Sequence, residues 1–165
     1  MFLACGQKKE QQTSSETTSE NALTTYYLIR HAEKDRSDPE NQDPYLTEAG
    51  IARAKNWAGF FDSIPLDQIY STGYHRTQQT ASYTASEKGL QLEIYDPGDL
   101  YNQDFQLLTK GQRVLVVGHS NTTPELVNKI IKQDTYAPMS DDDNASLYVV
   151  RIKGEVAKVK VLQVN

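Results

Sequence analysis

Apolar positions along the chain fall into runs of two kinds. Over 24–30 and 114–117 they are nearly continuous and built of aromatic and β-branched residues, the pattern of strands; Val114 to Val117, with no polar break, suits a parallel strand covered on both faces. Over 48–61 and 74–88 the pattern is helical, and in the first of these runs Ala49, Ala52, Ala54, Trp57, Ala58, Phe60 and Phe61 give an apolar face broad enough to cover a sheet. Thr47 is placed to cap the first helix, Leu46 to staple onto Ile51, and Gly89 to end the second helix in a left-handed conformation. Further strands are predicted at 68–71 and 90–95, a turn at 96–98, a short helix at 100–108, and a helix capped by Thr123 with Pro124 at its first position. Two strands, 146–152 and 156–162, close the chain around Lys153 and Gly154, and the polar, proline-punctuated stretch 34–44 reads as a loop. Such alternation implies an α/β fold: right-handed crossovers and a three-layer α/β/α sandwich with a mostly parallel central sheet.

The chemistry gathers at strand ends. The first strand finishes in Arg30, His31 and Glu33, and since an unpaired arginine is costly to bury, this triplet should face a cleft. The strand at 114–117 delivers His119 in the same way, and residues 70–81 bring Arg76 onto the start of a helix, so two histidines and two arginines meet where an open α/β sheet binds its ligand. Arg30 and Arg76 offer permanently charged planar forks that match phosphate, and the helix start adds oriented amides. Phosphoryl transfer asks for fixed positive charge and a positioned nucleophile, which a neutral imidazole can supply by forming a phosphohistidine that water then hydrolyses. Ser71 reads equally as packing or as a phosphate contact, Thr80 as packing, Asn121 and Thr122 as partners of the loop or the phosphate, and His75 as a rim residue. Glu33 reads as orienting Arg30 or a nearby loop ahead of donating a proton, and the acidic run 141–144 as a solvated loop rather than a metal site.

These segments resemble the histidine phosphatase superfamily, in its phosphoglycerate mutase branch with the small SixA-like phosphatases. The resemblance rests on residues 28–33, on 46–50, on 70–81 with Ser71, Arg76 and Thr80, and on 117–120, and it spans the chain from about Thr24 onward. It implies a phosphoglycerate mutase-like fold and a monomer that hydrolyses a phosphomonoester or phosphoprotein without metal or cofactor. His31 would be the nucleophile, and His119 the second histidine that hydrogen-bonds a phosphoryl oxygen. Mutase-type transfer is the less favoured alternative, because so short a chain leaves little room for insertions that close over a sugar phosphate. In mutase-like relatives a glutamate shortly after the third strand protonates the leaving oxygen. Counted from Asp99 and Leu100, that position falls on Asn102, an amide with no dissociable proton. Asp99, Asp96 and Glu33 remain as candidate donors, the first two favoured, unless the step goes unassisted.

Composition narrows the rest. At 165 residues and 38% hydrophobic content the chain suits one domain, and a net charge of −5 argues against a nucleic-acid surface. The single cysteine, Cys5, provides neither a disulfide framework nor a cysteine-based zinc site. No run approaches the ~18 apolar residues of a transmembrane helix. Residues 1–6 resemble the end of a bacterial lipoprotein signal in which Cys5 would be acylated, although the hydrophobic segment that should precede it is missing, as if the start were truncated or misassigned. Residues 7–21 carry no aromatic or large aliphatic side chain and cannot offset their ordering entropy by burial. The expected organisation is a signal remnant at 1–5, a flexible polar linker at 6–23 and the phosphatase domain at 24–165, lipid-anchored in a bacterial envelope and facing the periplasm if the start is misassigned or truncated, and otherwise cytoplasmic.

Other chemistries fit less well. Residues 118–122 look like a serine-hydrolase nucleophile elbow but end in Thr122 where glycine is expected, and no histidine follows His119. The His31–Glu33 spacing of a zinc deaminase lacks the paired cysteines. A zinc hydrolase built on His31, His75 and His119 would set two arginines against a dication. A phospho-ligand binder without turnover keeps the arginines and is separated from an enzyme by trapping a phosphorylated intermediate.

Overall fold

The computed structural model describes residues 22–164, so the expected attachment site Cys5 and nearly all of the 6–23 linker lie outside the described residues. In chain order the elements are β1 (Leu23–Arg30), α1 (Glu48–Phe61), β2 (Gln68–Ser71), α2 (His75–Lys88), β3 (Leu92–Ile94), α3 (Gln103–Thr109), β4 (Arg113–Gly118), α4 (Thr122–Ile131), β5 (Ser146–Lys153) and β6 (Val156–Gln163). They build one sheet in the order β3-β2-β4-β1-β5-β6. The pairs β3–β2, β2–β4 and β4–β1 are parallel, and β5 runs antiparallel to both β1 and β6.

Because successive strand side chains point to opposite faces, the unbroken apolar runs of β1 and β4 feed two cores. On one face Tyr26, Leu28, Val114 and Val116 pack with Leu126, Val127 and Ile130 of α4 and with Phe105 of α3. On the other, Ile29, Leu115 and Val117 pack with Trp57 and Phe61 of α1 and with Ala81 and Ala85 of α2. The three layers expected from the alternating pattern are therefore present, around a mixed sheet that is parallel in its core.

Local signals explain most boundaries. Thr47 caps α1, its side chain accepting a hydrogen bond from the Gly50 amide at 3.1 Å, and Leu46 packs with Ile51. Gly89 ends α2 with φ of 63°. Three boundaries differ from expectation. β3 covers Leu92–Ile94 rather than 90–95, an edge strand paired only with β2 whose Glu93 and Ile94 are exposed. α3 begins at Gln103 rather than at 100, because Tyr101 sits at φ of 60° and the Asn102 side chain accepts from the Phe105 amide at 2.8 Å, capping the helix there. α4 starts at Thr122 with Asn121 in the cap position, while the expected cap, Thr123, donates its hydroxyl hydrogen to the Ile29 carbonyl at 3.2 Å.

The start of α1 is locked onto the segment that follows β1. The Glu33 carbonyl accepts from the Thr47 amide at 2.9 Å, and a Cβ added at Gly50 would stand 2.2 Å from that same oxygen. Since backbone on both sides must then shift, Gly50→Ala should destabilise the fold by about 2–3 kcal/mol. A thermal melt of the variant should show a loss of several degrees, and an unchanged midpoint would contradict this coupling.

Candidate active site

Strand register assembles the site. Arg30 on β1 pairs in parallel with Gly118 on β4, and the His31 amide donates to the Gly118 carbonyl at 2.9 Å, so the two strands deliver His31 and His119 side by side. Their rings lie 5.6 Å apart, inclined at 68°. The start of α2 adds Tyr74 and Arg76 and the start of α4 adds Asn121 and Thr122, both facing a cavity of about 470 Å³ lined also by Arg30, Lys34, Pro97, Gly98, Ser120, Glu125 and Asp141. This is the crevice beyond the carboxyl ends of parallel strands where α/β sheets take ligands.

Hydrogen bonds define the imidazole tautomers. His31 Nδ1 lies 2.7 Å from the Ala32 carbonyl oxygen, which can only accept, so Nδ1 carries the proton and Nε2 keeps its lone pair. His119 is the reverse. The Thr77 hydroxyl is placed to donate to the Thr72 and Tyr74 carbonyls, leaving the Thr72 hydroxyl to donate to Thr77 and to accept from His119 Nε2 at 2.9 Å. The lone pair on His119 Nδ1 then faces Arg76 Nη2 at 3.5 Å. Burial, chiefly, pushes the His31 pKa down to about 3, with Arg30, His119 and Arg76 adding to the depression and the Ala32 bond opposing it. Burial and then the cations Arg76, Arg30 and Lys34 hold His119 at about 4, against Asp43. Both rings are neutral at pH 7.

The guanidinium groups are buried and only partly satisfied. Arg30 Nη1 donates to the carbonyls of Ser140, Asp141 and Asp143 at 2.9, 3.0 and 3.2 Å. Arg76 Nη1 reaches the Gln42 carbonyl at 3.4 Å and Asp43 at 3.5 Å, and its guanidinium stacks 4.4 Å over the Tyr74 ring. In both residues Nε is buried with no hydrogen-bond partner among the described residues. Two such orphans beside one cavity mark where an oxyanion would complete the hydrogen bonding, because each Nε shares an edge with Nη2 that suits two oxygens of a phosphate.

The remaining predicted residues are placed as follows. Asn121 lines the cavity. Ser71 is fully buried behind it, its hydroxyl donating to the Thr72 carbonyl at 2.9 Å. Glu33 accepts from Arg53 Nε on α1 at 2.7 Å and does not bond Arg30. Asp96 closes its own turn by accepting from the Gly98 amide at 2.7 Å, Asp99 accepts from the Asn102 side chain at 3.0 Å, and both line a neighbouring, mainly apolar cavity. His75 stacks on Tyr45 at 4.2 Å, half exposed at the rim.

Further residues hold the two histidines in place. Asn144 donates to the His31 carbonyl at 2.8 Å, and Thr80 accepts from the Ala32 amide at 2.9 Å, clamping the His31 backbone from two sides. A Cβ at Gly118 would come within 2.9 Å of the Thr122, Thr123 and Tyr95 oxygens, so only glycine fits where β4 turns into His119. Among these, Thr80 carried a sequence signal; Asn144 and Thr72 carried none.

Comparison with known proteins agrees with this geometry. The family model described as histidine phosphatase superfamily (branch 1) matches residues 26–105, a span that holds Arg30, His31 and Arg76 and ends before His119. No curated protein sequence matches the chain. Among solved structures, an Agrobacterium tumefaciens protein described as a phosphohistidine phosphatase SixA is 24% identical with a TM-score of 0.62, covering 84% of this chain and 97% of that one. The protein histidine phosphatase SixA complexed with tungstate is 17% identical (TM-score 0.66; 84% and 96% covered), and phosphoglycerate mutase from Bacillus anthracis is 16% identical (TM-score 0.66; 88% and 95%). The chain thus has the phosphoglycerate mutase-like α/β fold.

The depressed imidazoles give a signed pH dependence. Their folded pKa values lie below the ordinary value of about 6.5, so the unfolded chain takes up protons first as the pH falls. The stability tied to the two neutral rings is whole above about pH 6.5 and should be lost progressively as the pH falls toward about 4 and 3. Denaturant melts from pH 7 to 4.5 should show falling midpoints, more shallowly in His31→Gln; NMR titration of both rings near pH 6.5 would contradict the assignment.

Proposed function

We propose that this chain is a phosphatase that cleaves a phosphomonoester or phosphoprotein through a phosphohistidine on His31, without a metal. The observation that carries the reading is one cavity lined by Arg30 and Arg76, each with a buried, unpartnered Nε, and by an imidazole whose Nε2 lone pair is free. The tungstate complex of a SixA neighbour, an oxyanion held by a protein of this fold, supports it.

In the proposed reaction the Nε and Nη2 edges of both arginines hold non-bridging oxygens and spread the charge of a loose transition state. His31 Nε2 forms a bond to phosphorus as the bond to the leaving group breaks. The Nδ1 hydrogen bond to Ala32 keeps the ring in the attacking tautomer and takes up part of its developing positive charge. His119, with its lone pair toward Arg76, must take up a proton to donate to a phosphoryl oxygen, and the arriving dianion favours that uptake. Water then attacks the phosphohistidine, releasing phosphate and restoring His31.

In this reaction none of the predicted donors Asp99, Asp96 and Glu33 protonates the leaving oxygen. Among the described residues the carboxylates lining the cavity are Glu125 and Asp141, whereas Asp96, Asp99 and Asn102 line a neighbouring one, and Glu33, whose Oε1 accepts from Arg53, lines a further cavity with His31. The reaction should therefore favour leaving groups that depart unprotonated or already carry a proton, such as a phenol or the imidazole of a phosphohistidine, over alkoxides.

With nitrophenyl phosphate, His31→Ala should abolish turnover and Arg76→Ala should cost about 3 kcal/mol, roughly a hundredfold or more in kcat/KM. Vanadate should inhibit and chelators should not; wild-type rates in His31→Ala would reject the reading. An alkyl phosphate should be hydrolysed far more slowly than the nitrophenyl ester, and comparable rates would show that a general acid operates.

A further inference from the structure

One nitrogen of the anion-binding edge of Arg30 already meets a carboxylate. Nη1 is spent on three carbonyls and Nε is bare, but Nη2 donates to Asp141 Oδ1 at 3.2 Å. The same oxygen accepts a shorter bond, 2.8 Å, from Arg36 Nη2. The Asp141 side chain is 74% exposed and lines the catalytic cavity, and both Asp141 and Arg36 also line the cavity beside it. A carboxylate therefore already holds one of the two N–H groups of Arg30 Nη2 beside the cavity, and its negative charge opposes a second anion on the same nitrogen.

We propose that Asp141 is a built-in competitor for the phosphoryl group at Arg30 and that Arg36 is the cation that draws it aside when phosphate binds. The inference rests on the phosphatase reading and adds to it the residues that set affinity for the phosphoryl group. Leaving Arg30 costs Asp141 its longer hydrogen bond and keeps its shorter one. The incoming phosphate gains both Nε and Nη2, a two-point contact that a single carboxylate oxygen does not make. The return of Asp141 to Nη2 after hydrolysis then favours release of product phosphate. Arg30 is not displaced in this exchange, because the carbonyls of Ser140, Asp141 and Asp143 hold Nη1 throughout.

The test is calorimetric binding of orthophosphate to the full chain and to Asp141→Asn, Arg36→Gln and the double variant, with Asp141→Ala as a second removal of the carboxylate. Losing the competitor should tighten binding about fivefold, the scale of an exposed ion pair. Losing Arg36, which leaves Asp141 on Arg30 alone, should weaken binding by a few-fold. The decisive arm is the double variant: if Arg36 acts through Asp141, its loss no longer matters there, and the dissociation constant equals that of Asp141→Asn. An Arg36 effect of the same size in both backgrounds would mean that the two charges merely add to the local field, and would overturn the proposal, as would unchanged affinity in both Asp141 variants. Failure of the wild-type chain to bind orthophosphate at all would instead remove the phosphatase reading itself.

Discussion

The parallel hydrogen bonding of β1 to β4, with Arg30 opposite Gly118, is the constraint on which the site depends. Sliding that register by one residue would turn Arg30 and His31 toward opposite layers and separate the two imidazoles. The register is held by apolar side chains on both faces, so the two cores that stabilise the domain also align the chemistry. Gly118 completes the arrangement, because any side chain there would collide with the hydroxyls of Thr122, Thr123 and Tyr95 that shape the turn into His119.

Burying two arginines beside two histidines creates a positive cavity suited to an anion. Backbone oxygens do much of the holding: three carbonyls of the loop before β5 fix Arg30, and the Ala32 carbonyl fixes the His31 tautomer. Dipoles fix a cation without neutralising it, whereas the carboxylates of Asp141 and Asp43, at 3.2 and 3.5 Å, offset part of the charge. The same field and the same burial keep both imidazoles unprotonated, which leaves a lone pair on His31 Nε2 for attack.

Much of this was legible in the residues. The strand runs ending in Arg30–His31 and in Gly118–His119, and the arginine at the start of α2, announced a shared cleft because apolar runs that stop at charged groups must surface there. Thr47, Ile51 and Gly89 behaved as local rules require. The start of the helix after β3 was not legible because Tyr101 in a left-handed conformation leaves no compositional trace; Asn102, which the resemblance sets at the acid position, also caps that helix. The acidic run 141–144 looked like a solvated loop. It is exposed at Asp141 and Asp142, yet its carbonyls and Asn144 hold Arg30 and His31, contacts made by backbone and by long-range packing that no local pattern encodes.

The central claim is that His31 carries the phosphoryl group. Rapid acid-free quenching of the chain during turnover of a phosphoramidate, followed by peptide mass analysis, tests it most directly. The account predicts one acid-labile, base-stable phosphoryl group on the peptide containing His31, absent from His31→Ala. Turnover with no such adduct, or an adduct on His119 or His75 instead, would contradict it.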